Sequence, residues 1–424
     1  MKVFKFGGAS VKDASAVKNV AHILSLYKRE KVTVIISAMG KTTNATEAIV
    51  DALWNKEKSK FEDLVEERKN FHLQIMDELF VGKENLIYDE IATLFIQLKE
   101  KTNHPVSFNY NFEYDQIVSL GEIASTKIVT AYLQQENINA KWVDARKIIR
   151  TNNTYREGNV DWEITNNLIQ ENFIKSFENN DIQITQGFIG HTSEGFTTTL
   201  GREGSDYTAG IFAYCINAES VTIWKDVPGM LNADPKWFDN TIKLDKISFK
   251  EAIELSYYGA TVIHPKTIKP LQNKGIPLYV KSFIQPKAEG TVIQESTKFD
   301  SLIPSFIFKM NQLYLSITPK DFSFIVEENL SDIFKRLSRL NAKINLMQNS
   351  ALSFSVVLDQ DKIDINALLE EFQSTYKIKY QEGLELVTIR HYDTPTLERV
   401  LKGKNLLIEQ KTDNTVRILM KNIN

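Results

Sequence analysis

The sequence has few of the residues that build covalent or metal-bound frameworks. Its 424 residues include one cysteine, Cys215, and six histidines. A single thiol excludes an internal disulfide and a zinc site made of several cysteines, and it fits a reducing compartment. His72 and His104 lack the spacing of metal ligands, so we interpret both as structural residues.

Long apolar runs and an excess of charge of one sign are absent as well. No window approaches the ~20 apolar residues needed to span a bilayer, and the first residues, MKVFKFGG, lack the apolar core of a signal peptide. The formal net charge of −3 gives no electrostatic reason to expect nucleic acid or an anionic membrane as a partner. We therefore expect a soluble, cytoplasmic protein that binds neither.

The composition is that of a globular chain with more than one domain. Hydrophobic residues make up 42% and charged residues 25% of a chain that is too long for one core. Over residues 1–296, β runs alternate with helical patterns, which predicts an α/β domain with a mainly parallel sheet. The order β-α-β-β-α-β over 305–381 predicts a small ferredoxin-like module, and 382–424 predicts a partial second module.

Two turns with glycine follow the first two predicted strands. After Lys2–Phe6, the residues GGAS allow the backbone to approach a phosphate, with Lys5 at the edge of the site. An ordinary βα turn with a solvated lysine remains the alternative. After Val32–Ser37, the run AMGKTTN contains Gly-Lys-Thr, but Ile35 occupies the position where a P-loop requires glycine. We interpret this second turn as a hydroxyl-rich loop at a strand's carboxyl end, where open α/β sheets bind ligands.

The stretch Thr197–Gly210, TTTLGREGSDYTAG, has the most chemistry. A strand, a loop with glycine and then a helix direct backbone N–H groups and a positive helix end toward an anion. Arg202 supplies a fixed cation, Thr199 and Ser205 supply hydroxyls, and Asp206 supplies a carboxylate. This set suits an anionic substrate that also has an ammonium group. A surface turn with a capping serine or aspartate is the alternative.

Two further stretches carry charged groups at predicted turns. Glu122 follows a glycine at the predicted start of a helix, where the helix dipole favours an acid with or without a ligand. The run 225–235, KDVPGMLNADP, forms a rigid turn that suits a nucleotide base or ribose, or only reverses the chain.

In this order, the motifs resemble those of the aspartate kinases, members of the amino-acid kinase family with a C-terminal pair of ACT modules. KFGGAS at 5–10 resembles the family's KFGGTS, and TLGREGSDYTA at 199–209 resembles its LGRGGSDYTA. The run 225–235 resembles TDVPGxxxxDP, and YGATVIHP at 258–265 resembles FGAKVLHP. Each motif alone is weak, whereas their order along nearly the whole kinase portion is specific.

The resemblance implies a three-layer amino-acid-kinase-like sandwich followed by two ACT modules, the second truncated. It also implies transfer of the γ-phosphoryl group of ATP to the β-carboxylate of L-aspartate. The formation of the product, 4-phospho-L-aspartate, would be the first step of lysine, threonine and methionine biosynthesis. The acceptor carboxylate is already deprotonated, so this chemistry needs charge neutralisation and in-line positioning more than a base. Mg²⁺ would bridge phosphate oxygens and water with little direct protein ligation.

The resemblance also implies a role for each matched residue. The catalytic pair would be Lys5, holding the transferring phosphoryl group, and Asp206, orienting Lys5. Arg202 would pair with the α-carboxylate of aspartate, and Glu122 and Asp206 would face its ammonium group. The aspartate pocket would consist of Ser37, Thr43, Glu122, Phe188, Arg202 and Ser205. ATP would be bound by Lys5, Gly7, Gly8, Ser10, Lys225, Asp226, Leu231 and Lys236.

Three positions depart from the family pattern. Thr261 replaces a lysine that faces phosphate in the family, and our hypothesis is that Lys266 substitutes for it in binding ATP. Glu203 stands where the family commonly has glycine and adds a negative charge beside Arg202. Lys225 stands where threonine is frequent and adds a cation near the nucleotide.

The ACT region carries the expectations about assembly and regulation. In this family the modules pair between subunits and bind an end-product amino acid, usually lysine or threonine. We expect a homodimer or a higher homo-oligomer, because a lone small module exposes a sheet edge and an apolar face. Feedback inhibition and a role in assembly alone have equal weight. No dehydrogenase segment follows the ACT region, so we expect a single-function enzyme.

Two other functions remain open at this point. One is another amino-acid kinase that makes an acyl phosphate from glutamate or acetylglutamate. The other is a catalytically silent sensor that only binds an amino acid. The assignment as an aspartate kinase requires that Lys5 and Arg202 share one cleft.

Overall fold

The computed structural model describes residues 1–28, 30–82, 85–107, 109–260, 263–321 and 323–423. The departure at Thr261 lies outside these described residues. The chain divides into two compact units. The first consists of 1–230, 243–253 and 262–297, and the second of 231–242, 254–261 and 298–424. No helix in the described ranges has both the length and the apolar character needed to cross a membrane.

The first unit is built from alternating strands and helices. Its strands are β1 (Lys2–Phe6), β2 (Val32–Ile36), β3 (Ala140–Val143), β4 (Ile182–Gln186), β5 (Ile189–His191), β6 (Thr197–Thr199), β7 (Ser220–Lys225), β8 (Lys246–Ser248), β9 (Leu278–Ser282) and β10 (Thr291–Gln294). Its helices are α1 (Ala14–Ser25), α2 (Thr42–Trp54), α3 (Lys58–Leu79), α4 (Ile87–Glu100), α5 (Tyr110–Gln135), α6 (Trp162–Leu168), α7 (Gly204–Cys215), α8 (Phe249–Tyr258), which continues into the second unit, and α9 (Pro265–Lys274).

Within the described residues, eight of these strands form one sheet in the order β3-β4-β2-β1-β7-β9-β10-β8. The pair β9–β10 is antiparallel and the other pairs are parallel. The prediction of a mainly parallel α/β sheet is therefore confirmed. Phe6 pairs with Ile36 on one side and with Trp224 on the other, so the carboxyl ends of β1, β2 and β7 meet at one edge of the sheet.

Helices cover both faces of this sheet. Phe4 and Phe6 belong to a buried cluster that also contains apolar residues of α1–α5. Side chains alternate along a strand, so Val3 and Lys5 face the opposite side, where α7 packs along β1, β2 and β7. The result is the expected three-layer arrangement, with Lys5 on the α7 side.

Two local predictions are wrong. Helix α5 begins at Tyr110, where the Asn109 side chain accepts from the Phe112 N–H; Glu122 is thus in the helix interior, where the argument from the helix dipole does not apply. The apolar run 182–189, whose pattern predicts one continuous strand, instead forms two strands, because Phe188 adopts a left-handed φ of 76°. The chain turns there, and β5 pairs antiparallel with β6.

The second unit is an antiparallel sheet with helices. Its elements are β11 (Ser305–Pro319), α10 (Glu327–Arg339), β12 (Ile344–Asn349), β13 (Phe354–Asp359), α11 (Ile365–Phe372), β14 (Tyr376–Arg390), α12 (Thr394–Leu401), β15 (Lys404–Lys411) and β16 (Thr415–Asn422). The strand order is β12-β13-β11-β14-β16-β15. The long strands β11 and β14 pair from Ser305 with Arg390 to Pro319 with Tyr376.

Several separate hydrophobic clusters fill the described part of this unit. Leu315 lies in one that includes residues of α10 and α11, and Val387 lies in another that includes residues of α12. This is the β-α-β-β-α-β order followed by a partial repeat with one helix, as the ACT-like expectation requires. Strand β14 continues through the predicted module boundary at 381–382, where the sequence suggests two separate strands.

Candidate active site

A cavity of about 880 Å³ opens at the carboxyl edge of the parallel sheet. The loops after β1 and β2, the end of β7 and the start of α7 contribute to its wall. Ten of the residues predicted from the sequence line it: Lys5, Gly8, Ser37, Thr43, Glu122, Phe188, Arg202, Ser205, Asp206 and Lys225. Lys5 and Arg202 therefore share one cavity, which is the juxtaposition that the sequence interpretation requires.

A buried ion pair lies at the wall of the cavity. The Nζ atom of Lys5 is 2.6 Å from Oδ1 of Asp206, and the side chains are only 11% and 3% exposed. Nζ of Lys225 lies 3.8 Å from the other oxygen, Oδ2. Asp206 is in the first turn of α7, where the helix dipole stabilises a carboxylate. One acid thus orients two amines, which is suited to binding phosphate groups.

The loops after β1 and β2 are in direct backbone contact. The Gly40 N–H donates to the carbonyl oxygen of Gly8 over 3.0 Å, and a Cβ atom on Gly8 would lie 2.6 Å from the Gly40 carbonyl oxygen. Only glycine allows this approach. Gly7 lies beside the Lys5 amine, because a Cβ atom on Gly7 would be 3.3 Å from Nζ of Lys5. Ser10 is buried in the following 3-10 turn, and its N–H donates to the Gly7 carbonyl oxygen.

Glu122 presents a buried carboxyl group to the same cavity. Burial raises its pKa to about 8, although a hydrogen bond from the Ala38 backbone acts in the opposite direction. Its Oε2 atom has no hydrogen-bond partner among the residues that the structure describes. Because buried polar atoms are normally satisfied, this oxygen is suited to receive a donor from a ligand, and a cation would lower the pKa again.

The loop between β6 and α7 places Arg202 at the exposed side of the cavity. Glu203, next to it, has a left-handed φ of 54°, a backbone conformation that glycine adopts at little cost. Its Oε2 atom is buried and has no hydrogen-bond partner in the described part of the chain. Phe188 also lines the cavity, and its N–H donates to Oγ1 of Thr208 in α7.

One buried acid that the sequence motifs do not mark, Asp115, organises the cavity wall. Asp115 is fully buried and accepts from the backbone N–H of Thr199 over 2.9 Å and from its hydroxyl over 2.7 Å. It also accepts from the N–H of Arg156 over 3.0 Å, and burial raises its pKa to about 6. Asp115 precedes Glu122 by seven residues on α5, so helical periodicity points to it once the helix is known to begin at Tyr110.

Six of the predicted residues do not line the cavity: Gly7, Ser10, Asp226, Leu231, Lys236 and Lys266. Asp226 is exposed in the turn after β7. Lys266 lines a separate cavity of about 430 Å³, because it lies in the first turn of α9, which packs on α7. Leu231 and Lys236 belong to the segment 231–242 of the second unit. Their roles in ATP binding stay predictions.

Comparison with known proteins gives consistent results. The amino acid kinase family model matches residues 1–282. The chain is 31% identical over 395 residues to lysine-sensitive aspartokinase 3 of Escherichia coli (strain K12), covering 91% of this chain and 86% of that protein. It is 28% identical to chloroplastic aspartokinase 1 of Arabidopsis thaliana, covering 91% and 70%. The crystal structure of E. coli aspartokinase III with aspartate and ADP has a TM-score of 0.79 at 29% identity, covering 99% of this chain and 96% of that one.

Proposed function

We propose that this chain, which belongs to the amino acid kinase family and within it to the aspartokinases, is an aspartate kinase. It transfers the γ-phosphoryl group of ATP to the β-carboxylate of L-aspartate and forms 4-phospho-L-aspartate. The observation that carries this proposal is a single cavity lined by the amines of Lys5 and Lys225, the guanidinium group of Arg202 and the buried carboxyl group of Glu122. These are the groups that a zwitterionic acceptor and a polyphosphate require.

The acceptor end of the site contains the charges complementary to an amino acid. Arg202 binds the α-carboxylate, because its planar fork matches two carboxylate oxygens. Glu122 binds the ammonium group through the oxygen that lacks a partner. The hydroxyls of Ser37, Thr43 and Ser205 line the same cavity and provide neutral hydrogen bonds around the acceptor.

The phosphoryl end depends on Lys5. An oxygen of the β-carboxylate forms a bond to the γ-phosphorus while the bond from that phosphorus to the β–γ bridging oxygen breaks, and ADP leaves with the electron pair. No proton has to be removed from the nucleophile. Lys5, held 2.6 Å from Asp206, stabilises the negative charge on the transferring group, and Lys225 lies near the same carboxylate.

Mg²⁺ completes the proposal as a cofactor. No group of three or more His, Cys, Asp and Glu among the described residues could hold a metal ion, and Asp206 is already paired with Lys5. The cavity therefore fits a metal held chiefly by phosphate oxygens and water. When bound, the ion neutralises part of the charge on the phosphate oxygens, and the chain's own amines neutralise the remainder.

Assembly and an amino-acid effector are assigned to the second unit. Strand β12 lies at one edge of the six-stranded sheet, and Met347 and Leu352 near it are exposed. An open edge with apolar neighbours favours pairing with a second copy, so the chain forms a homodimer or a higher homo-oligomer. An end-product amino acid, lysine or threonine, binds this region and inhibits. Light scattering and calorimetric titration with each amino acid test the two parts separately.

A hydroxamate assay with ATP and Mg²⁺ tests the activity. Aspartyl hydroxamate that forms with aspartate, and not with glutamate or acetylglutamate, is the expected result, and R202Q is the matched loss-of-binding control. Product from glutamate or acetylglutamate alone would assign another amino-acid kinase. Aspartate binding in calorimetry without any turnover would assign a silent sensor.

A further inference from the structure

The main cavity contains a second arginine that no sequence motif singles out. Arg156 lies in the loop 154–157 and lines the cavity together with Arg202. Its side chain is 39% exposed, so the guanidinium is accessible from the cavity while it is still held by the protein. We infer that Arg156 is a substrate-binding residue that contacts the α-carboxylate of the acceptor beside Arg202. The inference rests on the proposed aspartate kinase activity.

The backbone of Arg156 has a conformation that arginine rarely adopts. Its φ of 67° is in the left-handed region, which is unfavourable for a residue with a Cβ atom. The conformation is maintained by Asp115, whose Oδ2 accepts from the Arg156 N–H over 3.0 Å and from the Thr199 N–H over 2.9 Å. An uncommon backbone fixed by a fully buried acid points to a functional reason for where the side chain lies.

The loop of Arg156 packs directly against the loop of Arg202. A Cβ atom on Gly201 would be 3.3 Å from the Arg156 carbonyl oxygen, and Gly201 immediately precedes Arg202. The Gly158 N–H donates to the Thr199 carbonyl oxygen over 2.8 Å. The two arginines therefore line the cavity from adjacent, mutually fixed loops, and a carboxylate between their guanidinium groups would be recognised by both planar forks.

Glu47 holds one edge of the Arg156 side chain. Nη2 of Arg156 donates to Oε1 of Glu47 over 3.0 Å, and the guanidinium carbon lies 4.0 Å from the centre of the Tyr114 ring. Glu47 is one helical turn after Thr43, which lines the cavity. A guanidinium has five N–H donors, so the bond to Glu47 and the contact with the Tyr114 ring leave donors for a substrate carboxylate. Glu47 is thus a neighbour that competes with substrate for the same cation.

This competition makes the proposal testable with two variants of one ion pair. If Arg156 binds aspartate, R156Q raises the KM of aspartate by about tenfold to a hundredfold, the cost of a lost charged hydrogen bond, and leaves the KM of ATP unchanged. E47Q then leaves the KM of aspartate unchanged or lowers it. If the pair only clamps two loops together, E47Q reproduces the defect of R156Q, and the proposal is overturned. An R156Q enzyme with an unchanged KM of aspartate overturns it as well.

R146Q is the matched control. Arg146 forms a comparable pair, 2.7 Å from Asp144 with its side chain 36% exposed, and it does not line the cavity. The R146Q enzyme is expected to have the same KM values as the wild type. R156K, which keeps the charge without the fork, is expected to lie between the wild type and R156Q.

A substrate analogue with an α-carboxamide in place of the α-carboxylate separates recognition from stability. Wild type and R156Q are expected to use or bind this analogue equally, because the group that Arg156 contacts has lost its charge. A defect of R156Q that persists at full size with the analogue contradicts the assignment.

Calorimetric titration of aspartate keeps the inference independent of turnover. A wild type that makes no aspartyl hydroxamate refutes the proposed function. The inference about Arg156 is then decided by binding, where weaker aspartate binding to R156Q supports it and equal binding by the two proteins overturns it.

Discussion

Replacing Glu122 by glutamine should increase stability at alkaline pH and weaken aspartate binding. The carboxyl group is buried with its pKa raised to about 8 from an ordinary value of 4.5. In the folded chain it binds its proton more tightly than in the unfolded chain. Its favourable contribution to stability is therefore fully present below about pH 4.5 and is lost as the pH rises through about 8.

The size of the stability effect follows from these two pKa values. Between pH 6 and pH 9 the wild type should lose about 2–3 kcal/mol of unfolding free energy that E122Q retains. Glutamine has the same shape, and its carbonyl oxygen can accept the hydrogen bond from the Ala38 backbone. Urea unfolding at both pH values, with aspartate omitted, measures the difference. E62Q, an exposed change on α3, should follow the wild-type profile.

Aspartate binding should depend on pH in the opposite direction. Only the ionised carboxyl group pairs with the ammonium group. With a pKa of about 8 it is ionised in about half of the molecules at pH 8 and in about one in a hundred at pH 6. The KM of aspartate should therefore rise about fiftyfold from pH 8 to pH 6 in the wild type. In E122Q it should be tenfold or more above wild type at pH 8, with a much flatter profile.

The ionisable groups of the substrate titrate identically with both enzymes. The difference between the KM profiles of the wild type and E122Q therefore reports on Glu122 alone. Parallel KM profiles for wild type and E122Q would refute the idea that this carboxyl group binds the ammonium group. A loss of stability in E122Q at pH 9 would refute the argument from burial.

Three other changes have defined outcomes. K5M should lower kcat by about 10²–10³-fold, because the transferring group loses its preorganised cation; steady-state rates within tenfold of wild type would contradict the role of Lys5. E203G should lower the KM of aspartate by up to about fivefold, because it removes a carboxylate next to Arg202 at a backbone position that suits glycine; an unchanged or higher KM would count against it. L315A should reduce the free energy of unfolding in urea by about 2–5 kcal/mol, since Leu315 is fully buried, and a loss below about 1 kcal/mol would show a core that collapses around the gap.

The sequence predicted the cavity-lining residues best where several of them are close together in the chain. Lys5 with its glycines, and Arg202 with Ser205 and Asp206, lie in or beside short βα turns, and a turn at a strand's carboxyl end lies at the same edge of the sheet as the neighbouring turns. Elsewhere, the position of a residue in the sequence does not predict whether it lines this cavity. Lys266 is near the family's phosphate-facing position in sequence, yet the first turn of α9 directs it to another cavity.

Burial and long-range hydrogen bonds could not be predicted. The raised pKa of Glu122 depends on packing around the middle of α5, and the sequence alone suggested a first-turn acid. Asp115 contacts Thr199 across 84 positions and Arg156 across 41, and no local pattern marks such a pair. No local sequence signal therefore distinguishes Arg156 from an ordinary loop residue.

The same limit explains the strands of the second unit. The residues Lys309–Gln312 are mostly polar and interrupt an apolar pattern, so periodicity predicts a strand over 313–317 only. The structure carries β11 through this stretch with shifts of register against β14. A bulge absorbs the interruption, and sequence periodicity does not distinguish it from a strand end.

Strands β11 and β14 run side by side through both ACT-like modules, and this has a practical result for anyone who divides the chain. A protease or a stop codon at residue 381 would sever β14 in its interior and leave each half with an unfinished sheet. The two modules should therefore melt together and resist being purified as separate fragments. Swapping one of them for a homologue's should succeed only when both long strands are exchanged at once.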